Sequence, residues 1–231
     1  MGRMLILAVA IVFSVSSAYA QSEQQVQTGF AAVNPVVGSG VGLMVFGRVG
    51  HRDGDDLVQS TVWAASVVTN SALVVSSDVS AGENTGIAIV NPSNFTANIT
   101  LTLRNQQGAI VASRTIVLNA LHQISRFVTE LLNVNGTGLL SINSTAPIAL
   151  VGLQFKGASF SVVPTNGPPG ETALLLPQFA TGDGWSTDVV IANLTGIAQT
   201  VRIDFYNPEG VIIATLPNVN VPPAGVTVIN R

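Results

Sequence analysis

LVVSSDVSAGENTGIAIVNPSNFTANITLTLRNQQGAIVA (Leu73–Ala112) and LLPQFATGDGWSTDVVIANLTGIAQTVRIDFYNPEGVIIA (Leu175–Ala214) align without a gap at an offset of 102. Leu73/Leu175, Gly82/Gly184, Thr85/Thr187, Ile89/Ile191, Asn91/Asn193, Asn105/Asn207 and Gly108/Gly210 anchor the match. A second block, Thr28–Phe46, aligns on Thr137–Phe155 at an offset of 109, through Thr28/Thr137, Gly29/Gly138, Asn34/Asn143 and Phe46/Phe155. A fixed period of this kind sets the architecture. The blocks follow one another as back half, front half, back half, front half. Each half occurs twice, but the copies are out of phase with a whole repeat.

Inside the blocks, apolar and polar residues alternate. Thr100 and Thr102 separate Ile99, Leu101 and Leu103, while Arg202 and Asp204 separate Val201, Ile203 and Phe205. A period of two puts one row on the core side of a strand and the other in water. Ile87–Val90, Val189–Ala192 and Ile148–Phe155 are largely apolar, as strands covered on both faces are. Asn105-Gln106-Gln107-Gly108 and Asn207-Pro208-Glu209-Gly210 read as equivalent hairpin turns. Pro208 presets φ at the second position, and the closing glycines can take positive φ. Gln123–Leu132 carries Ile124, Phe127, Val128 and Leu131 at helical spacing and is the one predicted helix. Short strands with turn signals about every 8–12 residues predict an all-β chain. The expected architecture is two immunoglobulin-like β-sandwich domains built from the internal repeat, with one short connector helix.

Residues 1–20 read as a secretory signal peptide. Arg3 is its positive region, Met4–Val15 its apolar core and Ala18-Tyr19-Ala20 its cleavage site. The apolar run is shorter than the about 20 residues that cross a bilayer, so cleavage is expected, with no membrane span left behind. Residues 21–27 are expected as a flexible leader and 28–66 as an N-terminal half-repeat. Residues 71–164 are expected as a complete β-sandwich and 174–231 as a C-terminal half-repeat. Ala65–Ser71 and Pro164–Glu171 read as linkers. The half-repeat 28–66 is expected to complete a C-terminal half-domain, either in its own chain or in the next subunit.

Without Arg3 the chain carries 8 basic and 12 acidic residues, a net charge of −4. Nucleic-acid surfaces need clustered Lys and Arg, so that class is excluded. Charged residues make up 9% of the chain against about 25% in ordinary domains; Asn, Thr, Ser and Gln supply its polarity instead. The absence of cysteine rules out disulfides, so core burial and sheet hydrogen bonds must carry the stability.

The stretch Leu176-Pro177-Gln178-Phe179-Ala180-Thr181-Gly182-Asp183-Gly184-Trp185-Ser186-Thr187 resembles secreted bacterial β-sandwich repeats common in soil phyla such as the Acidobacteria. Gly86–Ser93, Ser125-Arg126-Phe127-Val128 and Phe205–Gly210 add to the resemblance, which covers most of the chain after residue 20. It implies fold and export but no activity, because the matching residues are turn and core positions. In such repeats a front half ending like Gly225-Val226-Thr227-Val228 is followed by a back half like Thr28–Val33. Here that continuation stands at the other end of the chain.

The window Arg48–Gln59 holds the length difference between the two back halves and five charges, among them Asp53, Asp55 and Asp56. These three are candidate Ca²⁺ ligands. Three carboxylates fall short of the about 6–8 oxygens that Ca²⁺ takes, and neither a twelfth-position Glu nor flanking helices complete an EF-hand. A solvated hairpin tip with Gly54 at its turn is the favoured reading, so no cofactor is expected. His51 and His122 are the only histidines; His51 neighbours Asp53, and no Gly-x-Ser-x-Gly occurs. Both are expected at the surface, since a nucleophile needs a base oriented by a carboxylate in a pocket. Trp185 and the loop residue Asp183 are candidate ligand-binding residues for a carbohydrate; Trp63 is a weaker platform. A core or rim tryptophan is the favoured alternative. Asn94, Asn98, Asn135, Asn143 and Asn193 begin Asn-x-Ser/Thr sequons and are read as unmodified turn and strand-edge residues.

The sequence thus points to a non-enzymatic, secreted structural or adhesive protein, extracellular or on the cell surface. Its expected partner is a further copy of itself in a head-to-tail filament, or another extracellular surface component. A secreted carbohydrate-binding module acting as a monomer is the alternative, and an enzyme built on His51 and Asp53 the third reading. Mass spectrometry of the secreted protein is expected to find its N-terminus at Gln21, and a chain retaining Met1 contradicts the signal peptide.

Overall fold

A computed structural model describes residues 5–9, 28–34, 44–53, 55–165 and 174–230. The chain is all-β, as its alternation predicts. The cleavage site Ala18-Tyr19-Ala20, the leader 21–27, Gly54 and most of the segment Pro164–Glu171 lie outside the described residues. In chain order the strands are β1 (Leu5–Val9), β2 (Gly29–Val33), β3 (Phe46–Asp53), β4 (Asp56–Trp63), β5 (Val68–Ser77), β6 (Glu83–Val90), β7 (Ala97–Asn105), β8 (Ile110–Leu118) and β9 (Gln123–Phe127). A short helix, α1 (Val128–Leu132), leads into β10 (Gly136–Lys156) and β11 (Ser159–Val163). The remainder is β12 (Asp188–Ala192), β13 (Gln199–Tyr206), β14 (Ile212–Val221) and β15 (Val226–Asn230).

The centre is a closed two-sheet sandwich, and one strand belongs to both sheets. The first half of β10 runs antiparallel between β7 and β5, with β8 outside β7. Its second half runs antiparallel between β6 and β11, with β9 outside β6. The register breaks between Asn143 and Ile148, at Ser144-Thr145-Ala146-Pro147. Pro147 has no N–H for a ladder, so it sits where the strand changes sheets. Thr145 holds the corner by accepting the Asn98 N–H at 2.9 Å.

Alternation sorts the side chains into three apolar layers. Between the sheets lie Leu73 and Val75 of β5, Ile87 and Ile89 of β6, Ile99, Leu101 and Leu103 of β7, and Leu140, Ile142, Ile148 and Leu150 of β10. The opposite parity of β6 and β10, Ala88, Val90, Ala149, Val151 and Leu153, faces outward. It is covered by Val49 of β3 and Val62 of β4, with Phe30 of β2 packed alongside. The opposite parity of β5 and β10, Ala72 and Leu139, is covered by Val226 of β15, with Val74, Ala192, Leu194 and Val228 beside it. The N-terminal and C-terminal half-repeats therefore pack on opposite outer faces of the central sandwich. The C-terminal one is pinned by the Val226 N–H donated to the Gln106 carbonyl at 3.0 Å. Gly108, at φ +85°, lies so near the Pro223 carbonyl that a Cβ there would overlap it. Strand β1, from the expected signal peptide, pairs antiparallel with β2, Leu5 opposite Val33 and Val9 opposite Gly29.

The two front halves repeat each other down to single atoms. Buried Asn91 donates Nδ2–H to the carbonyls of Phe95 (2.7 Å), Leu118 (3.0 Å) and Asn119 (3.1 Å), and its Oδ1 accepts from the Ser93 N–H and hydroxyl. Asn193 does the same with the carbonyls of Ile197 (2.7 Å), Val221 (3.3 Å) and Pro222 (2.9 Å), and with Thr195. The two hairpins close alike: Asn105 Oδ1 accepts from the N–H groups of Gln107 and Ala109, and Asn207 Oδ1 from those of Glu209 and Val211.

Two local expectations change. Of the predicted helix Gln123–Leu132, only Val128–Leu132 is helical; Gln123–Phe127 is β9, paired with β6. The free edge of β6 offers a ladder partner for every residue of that stretch, and this outweighs the helical spacing of Ile124 and Phe127. Glu130 marks the true helix start by accepting the Phe127 N–H at 3.1 Å. The expected linker Ala65–Ser71 gives up Val68–Ser71 to β5, where Ser71 opposes Ile142. Replacing Asn91 with alanine leaves buried carbonyls without a donor, so Asn91→Ala is expected to lower stability by about 1–3 kcal/mol, read by chemical denaturation.

Candidate functional site

The feature that sets this chain apart is an open half-sandwich at Leu174–Asn230, and it emerges from residue-by-residue comparison with the closed one. Strand β13 pairs with β14 as β7 pairs with β8, and β12 pairs with β15 as β6 pairs with β9. In the centre, β7 and β6 are each paired on their second edge by β10. Among the described residues, no strand occupies that edge of β13 or β12.

Burial records the difference. Leu73 is 2% exposed, whereas its counterpart Leu175 is 90% exposed. Leu174 and Leu176 beside it are also exposed. The core row Ile99 and Leu101 is fully buried, while Val201 and Ile203 at the same places remain half-buried. Ile87 and Ile89 are fully buried, whereas their counterparts Val189 and Ile191 remain half-buried. Phe205 alone is sealed, under a T-shaped contact with Phe179 at 5.2 Å. Residue types chosen for a core thus line a surface, and contiguous patches of this kind mark interaction sites. Leu174–Leu176 carry no sequence signal beyond the Leu73/Leu175 match, and Val189–Ala192, expected to be covered on both faces, is open because among the described residues no strand pairs its second edge.

The Thr28–Phe46 block shows the converse pattern. Ala31 and Val33 of β2 are exposed, while their counterparts Leu140 and Ile142 are buried. Met44 is 75% exposed, where Leu153 is 1%. Gly29 has open space where a Cβ would stand, but a Cβ on its counterpart Gly138 would overlap the Arg104 carbonyl oxygen.

The other candidates are dispersed. Asp53 and Asp56 oppose each other as the last pair of the β3–β4 hairpin, and Asp55 is exposed in its turn. Among the described residues, no three His, Cys, Asp or Glu side chains come together in a way that could hold a metal. Exposed His51 stands opposite Val58 on the same hairpin. Exposed His122 turns its Nδ1 to the Ala120 carbonyl at 2.7 Å, beside a hollow of about 310 Å³ shared with Gly29 and Ser125. Among the described residues that line this hollow there is no carboxylate to orient the imidazole. A second hollow, of about 360 Å³, lies between Trp63, Ser71, Leu150 and Val162. Trp63 is exposed and tilted against Phe46 at 5.5 Å. Trp185 is 71% exposed and follows Asp183, whose φ is +49°, in a turn closed by Gly182 and Trp185. Of the five sequon asparagines, Asn193 is buried and fully engaged; Asn94, Asn98, Asn135 and Asn143 are exposed.

No described helix is long and apolar enough to cross a membrane. No family model, curated protein or solved structure matches this chain.

Among the charged groups of the open half, Asp204 has its carboxyl held by a hydroxyl and a guanidinium. Asp204 accepts from the Thr215 hydroxyl at 2.6 Å and from Arg202 Nε at 3.0 Å, and these bonds, Thr215 first, hold its carboxyl below the usual value. A lowered folded pKa contributes stability above the unfolded value, about 3.9, and loses it as the pH falls through the folded one. The denaturation midpoint is therefore expected to drop more between pH 7 and pH 3 in the native chain than in Asp204→Asn.

Proposed function

We propose that this chain is an exported, non-enzymatic structural protein whose copies join head to tail into a filament outside the cell. The observation that carries this reading is the unequal burial of equivalent core residues: Leu73 against Leu175, Leu101 against Ile203 and Ile142 against Val33. An apolar face beside unpaired strand edges is an aggregation hazard that proteins cover. A complementary surface present in the same sequence covers it with the correct chemistry. The predicted signal peptide and the resemblance to secreted bacterial repeats support export. The dispersal of the histidines and carboxylates supports a structural role over a catalytic one. A charge content of 9% leaves little repulsion to oppose close association.

A secreted carbohydrate-binding module is the second reading, and the exposure of Trp185 beside Asp183 favours it, because an exposed indole can stack on a sugar ring. Electron microscopy of the protein starting at Gln21 is expected to show filaments that lengthen with concentration. A monodisperse monomer at high concentration that binds a glycan array through Trp185 decides for the second reading.

A further inference from the structure

We infer that the open half-sandwich of one copy is closed by residues Thr28–Asn34 of a second copy, with Gly29 opposite Asn207 and Val33 opposite Ile203. The inference rests on the self-assembly reading and names its donor, acceptor and register. The register follows from the closed sandwich, where Gly138 opposes Asn105 and Ile142 opposes Leu101. Moving the donor back by 109 and the acceptor forward by 102 gives the two pairs.

Three observations converge on it. The first is Gly29. Among the described residues of its own chain nothing lies within 4 Å of an added Cβ, so these surroundings place no demand on a glycine. At the seat of Gly138 a side chain is forbidden by the facing carbonyl, and the corresponding carbonyl in the open half belongs to Tyr206. The second is volume. The pair Leu140–Leu103 becomes Ala31–Phe205, a smaller residue facing a larger one, so the filling of the core is preserved.

The third is placement. Leu139 packs with Ala192 on one outer face of the centre, and its counterpart Phe30 packs with Val90, the counterpart of Ala192, on the other. The chain thus sets a back half against a front half twice, once on each outer face. Donor and acceptor stand at its two ends, with both sheets of the central sandwich, about 10 Å apart, between them. A second copy brings its donor to the acceptor from outside the chain, and a heterologous contact of this kind propagates. Backbone hydrogen bonds along the edge of β13 give the join its affinity, as in strand addition elsewhere. The expected cleavage after Ala20 takes β1 off the edge of β2.

The chain has no cysteine, which makes a direct test possible. Val33→Cys and Ile203→Cys are made in separate full-length secreted chains, mixed and oxidised. A disulfide-linked dimer is expected from the mixture, and a ladder of multimers from the double variant. Gly29→Val is expected to abolish filaments with little change in the Tm of the monomer, because among the described residues nothing lies within 4 Å of its Cβ. Filaments without the cross-link, or Gly29→Val filaments of normal yield, overturn the donor assignment and leave self-assembly standing. A double variant that closes on itself as a monomer, with no filaments, overturns both.

Discussion

Every interior strand edge in this fold must find a hydrogen-bonding partner, and β10 alone answers that demand for both sheets of the sandwich. It runs from Gly136 to Lys156 and pairs with β5 and β7 before the corner at Pro147, then with β6 and β11 after it. Most other pairings in the repeat join near neighbours, such as β7 with β8 across the Asn105–Gly108 turn. Take away the long strand and two hairpin-like pieces remain, each apolar on its inner side. The open half at Leu174–Asn230 has that form.

The hairpin pieces hold their own shape because their turns are satisfied locally. Asn193 fills its corner as fully as Asn91 does, and Asn207 closes its turn as Asn105 does. A buried asparagine with every donor and acceptor engaged fixes a loop wherever it stands. This explains how the C-terminal half keeps the geometry of a complete repeat while its core row lies half open. Its docking on Ala72 and Leu139 through Val226 covers the outer face, not the inner one.

The low charge of the chain takes on a specific meaning in this setting. Each outer face of the central sandwich carries an apolar layer shared with a half-repeat, with Phe30 and Val90 in one and Leu139 and Val226 in the other, so apolar residues stand where an isolated sandwich would present polar surface. The remaining outward rows use hydroxyl pairs across strands, Thr100 with Thr115 at 3.0 Å and Thr102 with Ser113 at 3.1 Å. Such cross-strand pairs stabilise a sheet without adding charge.

Alternation at Ile99–Leu103, the turns at Asn105 and Asn207, and the offset repeat were legible in the sequence because each depends on neighbours a few residues away or on a direct match between copies. The strand at Gln123–Phe127 and the start of β5 at Val68 were not, because each exists only through a partner distant in the chain: β6 for the first and β10 for the second. The acidic window and the exposed tryptophans could be named from sequence, but whether they converge on a site depends on distances that no local pattern encodes. The sequence by itself determined the strand periods, the turns and the duplicated, out-of-phase halves. Only the tertiary structure decided that β10 serves two sheets and that the two half-repeats stand on opposite faces of the centre, because both follow from which distant edges meet and which apolar parity each neighbour covers.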